Sequence, residues 1–202
     1  DAPITGGNVS LYNETDGTSI LPTPTIAVVG LREGMSESDS NPSASFTTAD
    51  AEIAVIGNLR GETLGGSEFV LCKSGRTAGN PPQCDLSAEK ITSDTVRALV
   101  QSGTVASAHD VSDGGLLVAL AECTGAHYGA RIGASVSWSG NESPAVALFG
   151  EAGARVIVSY ALPERAAVQA LVQKYGATMT ILGTTGGDTL RASYNDTVVE
   201  SS

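Results

Sequence analysis

The apolar residues of this 202-residue sequence recur in two incompatible periods, and that mixture limits the folds open to it. Some runs are short and either continuous or alternating: residues 9–12, 25–29, 53–56, 105–108, 131–136, 155–160, 178–182 and 189–193. Such runs fit β-strands, the continuous ones buried on both faces. Others repeat every three or four residues. Ile91, Thr95, Ala98, Leu99 and Ser102 make the inner stripe of a helix starting near Ser87, with Gly103 placed to end it in the left-handed conformation. Leu116, Ala119, Leu120 and Cys123 mark a second helix over residues 115–127, and residues 144–149 fit a short one. A further helix opens at Pro163, with Glu164 in its first turn, Val168, Leu171, Val172 and Tyr175 as its stripe, and Gly176 as terminator. Strands and helices do not alternate strictly, so the expected class is α+β, a mixed sheet covered by helices.

Between these elements the punctuation is clear. Asp16-Gly17 marks a turn, Pro22-Thr23-Pro24 an extended crossing segment, and Gly186-Gly187 a turn pairing the last two strands. Residues 32–50 are rich in Ser, Thr and acids and predict a flexible surface loop. Acids outnumber bases 22 to 11, for a net charge of −11, so the cation clusters needed to coat nucleic acid are missing. No apolar run approaches the roughly 20 residues of a membrane-spanning helix, and neither nucleic acid nor membrane is an expected partner. Cys72, Cys84 and Cys123 match neither a disulfide framework nor a zinc set, so free thiols in a reducing cytoplasm are expected. The chain begins at Asp1, as an excised piece of a longer protein would.

Three segments carry candidate chemistry. In Thr5-Gly6-Gly7-Asn8-Val9-Ser10, paired glycines bring backbone N–H groups close to an anion, and the Asn8 carbonyl is a hard oxygen ligand suited to Mg²⁺. In a strand Ser10 shares a face with Asn8; the same residues also make an ordinary turn. Ser107-Ala108-His109-Asp110-Val111-Ser112-Asp113-Gly114-Gly115-Leu116 spans a strand-to-helix junction. Helix N-termini favour anions, Asp113 is placed as an N-cap or metal ligand, and His109 as a general base or a histidine fixed by its neighbours. His127 reads as a surface or last-turn residue. In Leu148-Phe149-Gly150-Glu151-Ala152-Gly153-Ala154-Arg155 a carboxylate and a guanidinium flank a turn, which predicts a structural ion pair between Glu151 and Arg155.

Taken in order, Pro3 to Thr15, Leu21-Pro22-Thr23-Pro24, Leu64-Gly65-Gly66-Ser67-Glu68 and Ala108 to Leu116 resemble the second half of phosphoribosylformylglycinamidine synthases of the small-subunit type. These belong to the aminoimidazole-ribotide-synthetase-like superfamily. The resemblance implies an ATP-dependent C–N ligase of purine biosynthesis. Its reaction takes formylglycinamide ribonucleotide, ATP and ammonia to formylglycinamidine ribonucleotide, ADP and phosphate. It further implies that Gly7 touches ATP, that Asn8 ligates Mg²⁺ and that Ser10 contacts the ribonucleotide. His109, Asp110, Asp113, Gly114, Gly115, Glu151 and Arg155 are expected as auxiliary or structural residues.

By the same resemblance, residues 1–24 are the tail of a preceding N-terminal-type domain, and residues 25–202 a C-terminal-type domain. The catalytic His and most metal carboxylates of the family lie in the other half, so this piece is expected to be inactive alone. Ammonia is expected from an amidotransferase (glutaminase) subunit, with a small accessory subunit beside it. Two alternatives stand: a structural or docking half with no ligand of its own, and another superfamily member, such as aminoimidazole ribotide synthetase or a selenide or thiamine-phosphate kinase.

Overall fold

The computed structural model describes residues 3–20, 23–30, 42–125 and 131–201, and the chain divides into two units, residues 1–40 and 41–202. In the first unit Glu14–Thr15 (β1) and Thr18–Ser19 (β2) pair antiparallel. They turn at Asp16 and Gly17, both at positive φ, the two-residue turn that an Asp-Gly step favours. The strands expected at 9–12 and 25–29 do not form. Both segments lack secondary structure, and Val9, Leu11, Ile26 and Val28 stand exposed. A strand exists through a neighbour's hydrogen bonds, and apolar alternation supplies no neighbour.

The second unit is built on strand Glu52–Gly57 (β3), whose six residues are all buried. Helices Glu68–Ser74 (α1) and Leu86–Ser102 (α2) follow, then Ser107–Asp110 (β4), Gly115–Cys123 (α3), Ala134–Trp138 (β5) and Pro144–Phe149 (α4). Arg155–Tyr160 (β6) leads through a 3-10 turn into Arg165–Tyr175 (α5), and Met179–Thr185 (β7), Leu190–Tyr194 (β8) and Thr197–Ser201 (β9) complete the unit. Among the described residues these strands form one sheet in the order β4-β6-β3-β7-β5-β8-β9, antiparallel except where β5 runs parallel to β8. The expected α+β class holds. Alternation along β3 sends Ile53 and Val55 to one face, with Leu116, Leu120 and Leu148 of α3 and α4. Ala54 and Ile56 face the other way, with Leu99 of α2 and Val168 and Val172 of α5.

The differences from the sequence expectation have physical causes. The buried stripe of α2 is Thr92, Thr95 and Leu99, while Ile91 and Ser102 are exposed. Threonine is tolerated there because its hydroxyl is bonded: Thr92 Oγ1 donates to the Ala154 carbonyl and Thr95 Oγ1 to that of Ile91. Tyr175 stands exposed at the end of the α5 stripe. The expected β7–β8 pair is not formed, because β5 lies between them; the Gly186-Gly187 turn instead bonds Gly133 in both directions. β9 follows a tight turn at Asn195, at positive φ, that polar residues disguised. In the expected 32–50 loop, residues 42–50 are tied down. Phe46 is 3% exposed, its N–H donates to the Cys123 carbonyl, and Ser43 bridges Ser107. The rest of that loop up to residue 41 and His127 lie outside the described residues. The three cysteines are free, with Cys123 buried and its thiol pushed up by that burial.

One carboxylate lies within this core. Glu52, buried at the start of β3, accepts from Tyr160 Oη at 2.7 Å and from Arg165 Nε at 2.9 Å, with Arg165 Nη2 also paired to it. Burial alone would raise its pKa, but the hydrogen bonds from Arg165 and Tyr160 outweigh that and hold it below the ordinary glutamate value. A depressed carboxylate contributes stability above its unfolded pKa, and that stability is lost as pH falls through the folded value. Urea unfolding followed downward in pH is therefore expected to show wild-type stability falling more steeply below the ordinary glutamate pKa than that of Glu52→Gln. In the same assay Leu99→Ala is expected to lose about 2–5 kcal/mol, and Ile91→Ala less than about 1 kcal/mol.

Candidate functional site

The candidate residues fall into two places. Residues 3–10 are exposed and without secondary structure. Neither Gly6 nor Gly7 has a positive φ, and a Cβ added at either would meet nothing within 4 Å. The anion nest expected of the paired glycines is therefore not formed in this conformation. Asn8 Nδ2 donates to Ser10 Oγ at 3.3 Å, although the strand expected to set the two on one face is not formed. Asn13 Nδ2 donates to the Ser10 carbonyl at 2.5 Å.

The second place is the β4–α3 junction. His109 sits at the end of β4 with Nδ1 donating to the Asp110 carbonyl at 2.6 Å and Nε2 3.6 Å from Glu122 Oε2. That is a histidine fixed by its neighbours rather than one facing a nucleophile. Asp110 is exposed and accepts from Ser112 Oγ at 2.7 Å. Asp113, expected as an N-cap or a metal ligand, does not cap α3. Gly114, at φ 78°, occupies that position, and its N–H donates to Glu151 Oε1 at 2.9 Å. Gly115 follows at φ 74°, where a Cβ would fall 2.6 Å from the Phe149 carbonyl carbon. Only glycine lets the helix start against that backbone.

Glu151 and Arg155 do not form the expected ion pair. Glu151 Oε1 accepts from a second amide, that of Glu68 at the start of α1, also at 2.9 Å. Arg155, 3% exposed, turns to the backbone: Nη2 donates to the Gly150 carbonyl at 2.9 Å and Nε to that of Ala152 at 3.3 Å. Its Nη1 is buried without a partner. Burial pulls the guanidinium pKa down to about 10, opposed by the nearby charges of Glu151 and Glu62. Sequence reading missed the role of the Glu68 amide, because nothing local ties residue 68 to residue 151. It also missed a second cleft, of about 290 Å³, lined by Trp138, Asn58, Thr178 and the Arg60–Glu142 ion pair.

Asp110, Asp113, Glu151 and Arg155 do share one cleft, of about 410 Å³, which Glu89 and Thr92 also line. Four carboxylates against one buried guanidinium make it a poor host for an anion. Among the described residues no three His, Cys, Asp or Glu side chains are grouped to hold a metal ion. Backbone contact at the junction makes a sharp expectation. Gly103, at φ 70° in open space, is expected to lose about 1 kcal/mol on replacement by Ala. Gly115→Ala adds a backbone clash and is expected to lose about 2 kcal/mol or more, read from urea unfolding.

Comparison with known proteins agrees with this architecture. The family description "AIR synthase related protein, C-terminal domain" matches residues 48–194. Phosphoribosylformylglycinamidine synthase subunit PurL of Anaeromyxobacter sp. (strain Fw109-5) is 46% identical over 195 residues, covering 93% of this chain and 25% of the relative. The Rhodospirillum rubrum protein of the same name is 42% identical over 193 residues, covering 94% and 25%. This chain thus spans about a quarter of the length of these relatives. Among solved structures, Thermotoga maritima PurL complexed with FGAR shares the fold, with a TM-score of 0.67 at 19% identity over 81% of this chain and 29% of that one. The same protein complexed with ATP gives a TM-score of 0.59 at 18% identity, over 79% and 26%. With the match to the family description covering most of the second unit and the sheet and helices to fit it, the chain belongs to the AIR synthase related protein family, of which it carries the C-terminal domain.

Proposed function

We propose that this chain is part of a cytoplasmic phosphoribosylformylglycinamidine synthase of the small-subunit type, an ATP-dependent ligase. It would convert formylglycinamide ribonucleotide and ammonia to the amidine, with release of ADP and phosphate. The observation that carries this reading is the 46% identity to subunit PurL, which covers 93% of the chain and so reaches well outside residues 48–194. In this reading residues 1–24 belong to a preceding N-terminal-type domain and residues 25–202 to the C-terminal-type domain. The relatives are named as a subunit, and a solved Thermotoga maritima assembly is named PurLQS. Both support a separate glutaminase subunit as the ammonia source, and an accessory subunit beside it. No helix among the described residues is long and apolar enough to cross a membrane.

Gly7 is proposed to lie against ATP, Asn8 to ligate Mg²⁺ and Ser10 to contact the ribonucleotide. The exposure of all three and the Asn8–Ser10 contact support a shared edge. Asn8 donates through its nitrogen, which turns its amide oxygen to the role of hard ligand. One neutral oxygen holds Mg²⁺ only alongside phosphates and carboxylates, so Asn8 fits as one ligand of a shared site. Bound there, the ion would neutralise charge on the phosphates.

Asn8→Ala in the full-length parent enzyme is expected to lower the rate by about 10²-fold or more and to weaken its Mg²⁺ dependence. The 202-residue chain alone is expected to release no ADP with ribonucleotide, ammonia and Mg-ATP. An unchanged rate and unchanged Mg²⁺ dependence in Asn8→Ala would favour the structural or docking half. That second reading draws support from the carboxylate already seated at the start of α3.

A further inference from the structure

Three sequence motifs that lie far apart in the chain converge on one oxygen atom. Glu151 Oε1 accepts from the Gly114 amide at the start of α3 and from the Glu68 amide at the start of α1, each at 2.9 Å. We propose that Glu151 is an anionic latch: through one oxygen it clamps the 61–68 loop and α1 onto the β4–α3 junction. A helix start presents unpaired amides that favour negative charge, and here the charge is supplied from within the chain.

Surrounding contacts hold the latch in position. Arg155 donates to the carbonyls of Gly150 and Ala152 and so sets the course of the turn from which Glu151 projects. Thr63 and Glu151 share a backbone bridge, and the Phe69 and Phe149 rings stack at 5.1 Å. A Cβ on Gly61 would fall 2.9 Å from Gly150 Cα, so the two backbones touch. Glu89, Asp110 and Asp113 line the same cleft and repel a second anion. All of these contacts lie within the second unit, so the latch is tested without turnover and independently of the ligase reading.

The test follows hydrogen exchange at the Glu68 and Gly114 amides and the Tm of the full 202-residue chain, in chloride and in millimolar inorganic phosphate at equal ionic strength. Wild type is expected to show the same Tm in both salts. In Glu151→Ala exchange at both amides is expected to rise about tenfold or more, and phosphate to leave it raised, because Glu89, Asp110 and Asp113 still repel an external anion. Glu151→Gln keeps an acceptor without the charge, so a smaller rise at both amides is expected, with no response to phosphate. The latch is overturned if phosphate raises the Tm of wild type, or if exchange at the two amides stays within about twofold of wild type in the variants. Should Glu151→Ala not fold, Glu151→Gln decides alone: a rise at both amides supports the latch, and no change overturns it.

Discussion

A strand buried on both faces must be covered on both faces, and β3 imposes that condition on everything around it. Its residues Ile53 to Ile56 are all shielded from water, each face matched by its own pair of helices, α3 with α4 and α2 with α5. A centre of this kind needs strands on either edge as well, because its amides and carbonyls have no access to solvent. β6 and β7 supply them along the length of β3. The buried Glu52 is admitted at the start of this strand because Arg165 and Tyr160 meet it there, tying α5 and β6 to the centre of the sheet.

The same economy of polar groups shapes the junction. Glycine at 114 and 115 lets α3 begin in contact with the 149–150 backbone, but leaves the helix without a side-chain cap of its own. Glu151 takes that part from a distance of 37 residues in sequence. Arg155 makes its bonds to carbonyls instead of to Glu151, which frees the carboxylate for two amides. A pair four residues apart that looks like an ion pair therefore divides its work between shaping a turn and capping helices.

Helix positions were legible in the sequence where local chemistry decides them. Gly103 and Gly176 end α2 and α5 in the left-handed conformation, and the apolar stripe of α3 at Leu116, Ala119, Leu120 and Cys123 is buried as its spacing requires. The span of β6 and the short α4 were legible too, one from a continuous apolar run and the other from a proline at its start. Thr92 was not, since a threonine enters a core only when a partner such as the Ala154 carbonyl awaits its hydroxyl. The contact between Asn8 and Ser10 was not legible in the same way, since their shared face was read from a strand repeat and no strand forms around them.

By itself, then, the sequence determined helices α2 to α5, the core strands β3 and β6, the α+β class and the family, because periodicity, caps and ordered motifs are properties of neighbouring residues. Only the tertiary structure decided that β5 separates β7 from β8, that Phe46 pins a polar loop, and that Glu151 rather than Asp113 serves the start of α3. Each of these depends on which distant groups are left needing a partner once the core has closed. Such a need arises from burial, and burial is not encoded at any single stretch of chain.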